Sequence, residues 1–409
     1  MPRLPIRAER QTRRPMATAT LPRKSVHAFP ARMAPEIALE KIELLTEPGG
    51  TVLDPMCGSG TVVRLAGEAD RHAIGVDVDP LAVIITRTAC QPSWTKNLVA
   101  RADAVLDRAS RLGPGVPQWI RRDQETHEFI NYWFAPPQIE DLSRISRILI
   151  DGPRRDDPLR VALSRMIVTK EMAASLARDT SHSRPHRVAD ANDYDVFDGF
   201  LKSAEKLEGL MDNAGGQHRP SIRRADARTL GFVRAASVDL CVTSPPYLNA
   251  IDYLRGHKMS LVWLGWTVGA LREIRGGSVG VERGLQGVTP EVSEIAKAAV
   301  PRMHDLPPAR QGMVLRFTHD MDRLARALAR VTKQGGHLVM VVADSQLKGV
   351  AISNATICRR TADRHGFELL EKKPRPLPAQ HRYLPPPTNT SGTLAARMKE
   401  EIVFTFKRT

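Results

Sequence analysis

Cysteine is scarce in this chain of 409 residues, with four in total, at Cys57, Cys90, Cys241 and Cys358. They are far apart and lack the spacing of a metal site or a disulfide framework. No apolar run reaches the length of about eighteen residues that a membrane span needs. Residues 1–14 are rich in Arg and Pro and have no apolar core like that of a secretory signal. These absences predict a cytoplasmic protein without a structural metal and without a membrane partner.

The composition is otherwise that of a globular protein with a strong basic surplus. Hydrophobic residues make up 42% of the chain, which is ample for a core. The formal net charge is +15 and the isoelectric point is near 10.0. Such a charge attracts polyanions, which makes nucleic acid the natural partner. A soluble basic protein that simply uses Arg freely is the alternative.

Four segments follow from changes in the pattern along the chain. Residues 1–25 contain seven Lys or Arg against one Glu and no apolar period, so we expect a flexible basic arm. Residues 26–95 show alternating strand and helix patterns, and residues 96–220 carry apolar residues at helical spacing. Strand patterns resume in residues 221–409. The sequence predicts an α/β fold with a parallel, doubly wound sheet that is interrupted by a mostly helical insertion.

A glycine-containing turn follows the first predicted strand, Thr51-Val52-Leu53. The turn is Asp54-Pro55-Met56-Cys57-Gly58-Ser59-Gly60-Thr61, and a helical pattern follows it. Strand, turn and helix in this order form a ligand crevice at the carboxyl end of the strand. Gly58 and Gly60 allow close approach of a ligand to the backbone, and the Asp54 carboxylate can accept hydrogen bonds from an ammonium group.

This turn differs from two well-known nucleotide-binding loops. The third glycine of the dinucleotide fingerprint would fall at Val63, and no Gly-Lys-Ser or Gly-Lys-Thr follows as in a phosphate-binding loop. A nicotinamide dehydrogenase is therefore disfavoured. A tight turn that needs glycines for packing alone remains the structural alternative.

Two carboxylates follow the second predicted strand. Asp77 ends that strand, where a carboxylate can accept hydrogen bonds from both hydroxyls of a ribose. Asp79 stands directly before Pro80, the pattern of a residue that caps a helix. We therefore assign Asp77 to a ligand and Asp79 to the cap.

The stretch Thr243-Ser244-Pro245-Pro246-Tyr247 follows a buried-strand pattern, Val238 to Val242. The two prolines remove backbone N–H groups and leave rigid carbonyls on a fixed loop. The Ser244 hydroxyl and such a carbonyl can accept both hydrogens of an aromatic amino group, which aims its lone pair at an electrophile. Tyr247 can stack on an extruded base. Pro-Pro also occurs elsewhere in the chain, where it punctuates loops, but there no strand leads into it.

Together, the turn Asp54 to Thr61 and the stretch Thr243 to Tyr247 resemble the motifs of the amino-methyltransferase family that includes bacterial DNA N4-cytosine and N6-adenine methyltransferases. The resemblance implies a seven-stranded Rossmann-like sheet, S-adenosyl-L-methionine in the glycine-containing crevice and a target base at the Ser-Pro-Pro-Tyr loop. It also implies that Asp54 lies at the methionine end of the cofactor, that Asp77 binds the ribose and that Asp226 lies near the adenine amino group. The predicted cofactor site further includes the matched positions Pro55, Gly58, Gly60, Thr61 and Thr243.

A second, shorter similarity lies before the first helix. His27-Ala28-Phe29-Pro30 is similar to the family's N-terminal cofactor motif, so Phe29 and Pro30 are expected to wall the cofactor pocket. Met56 stands where this family commonly has Phe, and the helical insertion matches no target-recognition domain that we know.

Several further positions are candidates from the residues alone. Asp103 competes with Asp226 for the adenine contact, but Asp226 directly precedes the strand that delivers Ser244. The basic stretch 181–187 suits phosphates or forms a solvated loop. Beyond the catalytic loop, Asn249, Asp252, Tyr253 and Arg255 are expected to line the base pocket, whereas Trp263 to Trp266 are expected to pack in the core.

The expected activity is site-specific DNA methylation at an exocyclic amino group, as in restriction-modification. In the resembling family, Ser before Pro-Pro-Tyr goes most often with cytosine N4, with adenine N6 as the alternative. An RNA-base methyltransferase and a non-catalytic nucleic-acid-binding protein are the rivals. A C5-cytosine methyltransferase needs a Cys nucleophile, usually preceded by Pro, and none of the four cysteines follows a proline.

Overall fold

The structure is a computed structural model that describes residues 25–29, 32–179, 185–211, 219–248, 252–281, 285, 288–377 and 400–409. Its strands are β1 (Thr51–Asp54), β2 (His72–Asp77), β3 (Ala177–Arg178), β4 (His186–Arg187), β5 (Ser221–Arg224), β6 (Val238–Thr243), β7 (Thr332–Val342), β8 (Ser345–Leu347), β9 (Val350–Ile352), β10 (Phe367–Pro376) and β11 (Glu400–Arg408). Seven of them form one sheet in the order β10-β11-β7-β6-β1-β2-β5. The five neighbouring strands β7, β6, β1, β2 and β5 pair in parallel. Strand β11 pairs antiparallel with both β7 and β10. The predicted seven-stranded α/β sheet is confirmed.

Helices cover both faces of this sheet and form most of the chain between β2 and β5. They are α1 (Pro35–Leu45), α2 (Thr61–Glu68), α3 (Pro80–Cys90), α4 (Leu98–Ser110), α5 (Gln118–Arg121), α6 (Gln124–Trp133), α7 (Pro136–Leu149), α8 (Asp157–Arg165), α9 (Val196–Met211), α10 (Tyr253–Leu261), α11 (Val268–Gly277), α12 (Pro290–Ala299), α13 (Pro308–Val331) and α14 (Asn354–Arg364). Within the described residues, no helix is both long and apolar enough to cross a membrane.

The sheet is apolar on both faces because successive side chains of a strand point to opposite sides. In β7, Val339 and Val341 pack with α1 and α2, whereas Leu338, Met340 and Val342 pack with α12, α13 and α14. In β6, Leu240 and Val242 pack on the face with α1 and α2, whereas Cys241 packs on the face with α12, α13 and α14. This two-sided burial fixes the register of the parallel strands and brings their carboxyl ends to one edge.

The predicted helical insertion consists of α4 to α9 and the short antiparallel pair β3–β4. Its apolar residues share one cluster with α3 and with α10 and α11, which follow the Ser-Pro-Pro-Tyr stretch. Trp263, immediately after α10, is fully buried in that cluster and meets Phe134 edge-on, with ring centroids 5.1 Å apart. Trp263 thus packs in the core, as the sequence predicts, while Trp266 is partly buried. The insertion is therefore packed against α3 and against the helices that follow the Ser-Pro-Pro-Tyr stretch.

Strand β7 begins earlier than its apolar run. That run starts at His337, after Gly335-Gly336, but β7 begins at Thr332, directly after α13. Thr332 pairs with Val238, and the next pair joins His337 to Leu240, with an irregularity between them. Gly335 has a φ of +76°, which favours glycine, so the two glycines form a bulge within the strand and not a turn before it.

Candidate active site

A cleft of about 1020 Å³ lies at the edge of the sheet where the parallel strands end. Many of the residues singled out from sequence line it: Phe29, Asp54, Pro55, Gly58, Thr61, Asp77, Asp226, Ser244, Pro245, Pro246 and Tyr247. All of them except Phe29, which precedes α1, come from the ends of β1 and β2 or from the segments that follow β1, β5 and β6, which the parallel topology brings together. The structure thus joins the two motifs, nearly 190 residues apart, in one cavity.

Two carboxylates lie at the floor of the cleft, Asp54 buried and Asp77 half-buried. Burial raises the pKa of Asp54 to about 7, against the effect of a hydrogen bond from the Met56 N–H. Burial also raises the pKa of Asp77 to about 6, and the neighbouring Asp79 carboxylate contributes to this rise. Ionised carboxylates in such a place are costly unless a positive charge lies close to them. The floor therefore fits a cationic ligand.

The turn between β1 and α2 is tied to Asp77. The Gly58 N–H donates to the Asp77 Oδ2 atom at 2.9 Å, and the Asp79 N–H donates to Oδ1 at 2.9 Å. Gly58 has a φ of +48°, and a Cβ atom there would lie 3.1 Å from the Phe29 ring. Phe29 in turn stacks on Tyr253, with ring centroids 4.8 Å apart. Gly58 is thus required by the close approach of an aromatic wall of the cleft.

Gly60 has a packing role in the structure. It does not line the cleft, and a Cβ atom there would lie 2.9 Å from Thr86 of α3. Its φ of +80° lets it begin α2 in a left-handed conformation. The missing side chain makes room for α3, so packing alone accounts for a glycine here, and the contact of Gly60 with a ligand stays a prediction.

Asp79 is the cap that the sequence predicts. Its Oδ1 atom accepts the Leu81 N–H at 2.9 Å at the start of α3. Its Oδ2 atom lies 2.6 Å from the Nδ1 atom of His257 on α10. Nothing in the sequence pattern indicated His257, because the pair spans 178 residues.

Asp226 lines the cleft after β5 and is held by Arg228. The guanidinium of Arg228 donates to both carboxylate oxygens at 2.7–3.1 Å and also pairs with the buried Asp320 of α13 at 2.6 Å. Hydrogen bonds and the charge of Arg228 hold the pKa of Asp226 below its usual value even though burial opposes this. Its rival Asp103 is exposed on α4 and does not line the cleft.

The Ser-Pro-Pro-Tyr loop is anchored to β7. The Ser244 hydroxyl donates to the Val341 carbonyl at 3.0 Å, which fixes its hydrogen and leaves its lone pairs as acceptors. Burial raises the pKa of Tyr247 to about 12, against the effect of hydrogen bonding to the Ser244 side chain and the Ala343 backbone. Thr243 is fully buried beside Asp54, lowers the pKa of that carboxyl, and does not line the cleft.

Some sequence predictions fall elsewhere or outside the described residues. Asp252, Tyr253 and Arg255 line the cleft as expected. Pro30, Asn249 and most of the basic stretch 181–187 lie outside the described residues. His186, from the basic stretch 181–187, lines the cleft, and so do Arg275, Asp344 and Gln346, which no motif indicated. Arg275 lies on α11, Asp344 follows β7 and Gln346 lies on β8, where the sequence offers no spacing to single them out.

Comparison with known proteins agrees with this geometry. The family model N6_N4_Mtase, described as DNA methylase, matches residues 7–87. The chain is 22% identical to the Type II methyltransferase M.MvaI of Kocuria varians over 414 residues, which cover 93% of this chain and 90% of that protein.

Solved structures are also similar at low identity. The rRNA methyltransferase aviRa from Streptomyces viridochromogenes has a TM-score of 0.32 and 12% identity, with 94% of this chain and 89% of that chain covered. A putative DNA modification methylase from Thermus thermophilus, complexed with S-adenosyl-L-methionine, has a TM-score of 0.24 and 20% identity, with 45% and 53% covered.

The residues present fit S-adenosyl-L-methionine, whose ammonium and sulfonium groups are cationic. Asp54 is buried and Asp77 half-buried, both with raised pKa values, and Gly58 beside them has no side chain to occupy the space next to Phe29. The family match over residues 7–87 and a relative aligned over nearly the whole chain make the protein similar to amino-methyltransferases of the DNA methylase kind, and they support S-adenosyl-L-methionine as its cofactor.

Proposed function

We propose that the protein transfers the methyl group of S-adenosyl-L-methionine to the N4 amino group of a cytosine in DNA. The observation that carries this proposal is the placement of Ser244. Its hydroxyl lines the cleft and donates its hydrogen to Val341, so that beside the lone pair that faces Tyr247 one acceptor lone pair remains for a substrate. An amino group is the substrate that such an acceptor fits.

The cofactor side is assigned to the floor of the cleft. Asp54 would accept hydrogen bonds from the ammonium group and Asp77 from the ribose hydroxyls, while Asp226 would lie near the adenine amino group. Pro55, Gly58 and Thr61 would line this part of the cleft, with Phe29 as its aromatic wall. When bound, the cofactor supplies an electrophilic methyl group.

The Ser-Pro-Pro-Tyr loop is assigned to the target base. An amino nitrogen attached to a base is a poor nucleophile because its lone pair is delocalised into the ring. Ser244 and a carbonyl of the proline pair would accept its two N–H bonds and orient the lone pair towards the cofactor side. Tyr247 would contact the face of the extruded base. Ser before Pro-Pro-Tyr favours cytosine N4 over adenine N6.

The helical insertion is assigned to recognition of the DNA around that base. Its strand β4 places the exposed His186 at the cleft, beside the proposed base pocket. The following residue, Arg187, is exposed and lies over the Tyr132 ring at 4.9 Å. Side chains of this kind reach base edges and phosphates in nucleic-acid complexes. We also propose that this recognition segment spans residues 96–220, with boundaries at 95–96 and 220–221.

The decisive experiment is nucleoside mass spectrometry. DNA and RNA from a methylation-free host that expresses the protein are digested and compared with those from a host that carries the empty vector. We expect N4-methylcytosine in the DNA. N6-methyladenine in its place would correct the base, and a methylated nucleoside in RNA alone would overturn DNA as the substrate.

A further inference from the structure

A cluster of positive charge stands at the mouth of the cleft, on the two helices that follow the Ser-Pro-Pro-Tyr loop. Arg255 and Lys258 lie on α10, and Arg275 lies on α11. Asp252 lies between them: Arg275 Nε donates to its Oδ2 atom at 2.6 Å, and Arg255 Nε lies 3.8 Å from the same oxygen. Asp252, Arg255 and Arg275 all line the cleft.

The cluster carries more positive charge than its own carboxylate can neutralise. Three cations face Asp252, a formal surplus of two charges. Burial lowers the pKa of Lys258, and the charges of Arg275 and Arg255 lower it further, so the three cations repel one another. Like charges held together destabilise a fold unless an anion joins them.

The guanidinium groups are available to a ligand. The side chains of Arg255 and Arg275 are 46% and 41% exposed, respectively. Arg275 uses Nε for Asp252, and its terminal N–H groups have no acceptor among the residues that the structure describes. An arginine fork of this kind matches the oxygens of a phosphate. Lys258 stays close to the cluster, with its ammonium 4.7 Å from the centre of the Phe129 ring.

We propose that Arg255, Lys258 and Arg275 bind a backbone phosphate of the DNA strand whose base enters the cleft. This inference rests on the proposed function. Residue 252, at the start of α10, comes only five positions after Tyr247, so a nucleotide whose base contacts the loop has its backbone at the same mouth. Asp252 holds the two arginines in place until the phosphate arrives. Their contact with the phosphate strengthens DNA binding and fixes the position of the strand, but it does not distinguish one base from another.

The test measures how DNA binding depends on salt. Fluorescence anisotropy with an unmethylated duplex gives the dissociation constant between low and physiological salt for the wild type, Arg255→Gln and Arg275→Gln. Each variant is expected to bind several-fold more weakly, and the slope of log affinity against log salt is expected to fall by about 0.9 for each phosphate that the variant no longer neutralises. Affinity for S-adenosyl-L-methionine, measured by calorimetry, is expected to stay unchanged.

Two further variants separate a phosphate contact from a general effect. Arg111→Gln removes the same charge from an exposed arginine of α4 that does not line the cleft, and is expected to leave the slope unchanged. Asp252→Asn keeps a side-chain oxygen that can accept from Arg275 but removes the competing charge, so DNA binding should become tighter. A cluster that depends on the charge of Asp252 for its structure would be disrupted and would bind DNA more weakly.

The outcomes also separate this inference from the proposed function. Unchanged slopes in Arg255→Gln and Arg275→Gln, with DNA still methylated by the wild type, would overturn the phosphate site alone. Slopes that change only for an RNA ligand would also overturn it. Absence of any methylated nucleoside in DNA would overturn the proposed function instead.

Discussion

The Nδ1 atom of His257 lies 2.6 Å from the Oδ2 atom of Asp79, and both side chains are buried. This contact joins α10, just after the Ser-Pro-Pro-Tyr loop, to the start of α3, just after the strand that ends in Asp77. His257 also lies against Phe29, with ring centroids 5.5 Å apart. The two halves of the cleft are thus linked behind its aromatic wall by one hydrogen bond between side chains.

Replacing His257 by Ala should destabilise the fold. The buried Asp79 oxygen would lose its donor, and a hydrogen bond to a charged group contributes about 1.5–3 kcal/mol. Thermal unfolding should show a lower midpoint for His257→Ala than for His304→Ala, a control in which the side chain is 79% exposed. Equal midpoints in the two variants would mean that the contact contributes nothing to stability.

Replacing Gly58 by Ala should weaken cofactor binding. The left-handed backbone costs a residue with a Cβ about 1–2 kcal/mol, and the new atom would press against the Phe29 ring. We expect the dissociation constant for S-adenosyl-L-methionine to rise about tenfold, which corresponds to about 1.4 kcal/mol. Gly113→Ala is the control because a Cβ there meets no atom within 4 Å. Calorimetry that gave the same affinity for both variants would contradict this prediction.

Cofactor binding should release protons in mildly acidic solution. In the free protein burial raises the pKa of Asp54 to about 7 and that of Asp77 to about 6. A bound cation favours the ionised carboxylates, so binding near pH 6 expels protons, and affinity falls as the pH drops below about 7. Titration calorimetry in two buffers of different ionisation enthalpy measures this release, which should be smaller in Asp54→Asn.

The raised pKa of Asp54 also determines how the stability of the fold changes with pH. Because the pKa of Asp54 is higher in the folded state than its ordinary value of 3.8, the folded protein binds more protons than the unfolded chain between about pH 4 and pH 7. The contribution of Asp54 to the stability of the free protein is therefore complete below pH 4 and is lost as the pH rises through 7. Asp54→Asn should flatten that part of the unfolding profile.

Replacing Asp77 by Asn should reduce cofactor affinity without affecting DNA binding. The amide has one acceptor oxygen in place of two, so it cannot serve both backbone N–H groups and the ribose hydroxyls. The loss should be about 1.5–3 kcal/mol. Calorimetry measures the cofactor, and anisotropy with DNA in the absence of cofactor is the control. An unchanged affinity would remove Asp77 from the ligand site.

Replacing Ser244 by Ala should reduce turnover far more than binding. Loss of one positioned group that acts in the transition state costs about 10²–10³ in rate by analogy with oxyanion donors. Ser278→Ala is a matched control, because Ser278 also lines the cleft and donates its hydroxyl to a backbone carbonyl, that of Ile274. Single-turnover methylation should fall in Ser244→Ala alone, with cofactor affinity intact. Near-normal turnover there would place the catalytic loop elsewhere.

Local patterns in the sequence predicted the sheet and the loops at its edge. Asp54, Asp77 and Ser244 each follow a short apolar strand, and parallel strands bring such positions together. The spacing of residues could not indicate His257, Arg228 or Arg275, because their partners lie on other elements and meet them only through tertiary packing. For Gly60 the sequence indicated the position through the motif, but not its packing role. Only the structure shows that a side chain there would collide with Thr86.

The hydrophobic cluster that α3, the insertion and α10 share has a consequence for engineering. The segment 96–220 is not a detachable cassette, because its apolar residues and those of the catalytic half cover one another. Exchanging it whole for the corresponding segment of another methyltransferase would expose Leu81, Ile85 and Trp263 at the seam unless the incoming helices reproduced their contacts. If the insertion reads the DNA as proposed, a change of target sequence is better sought by replacing exposed side chains such as His186 and Arg187 one at a time.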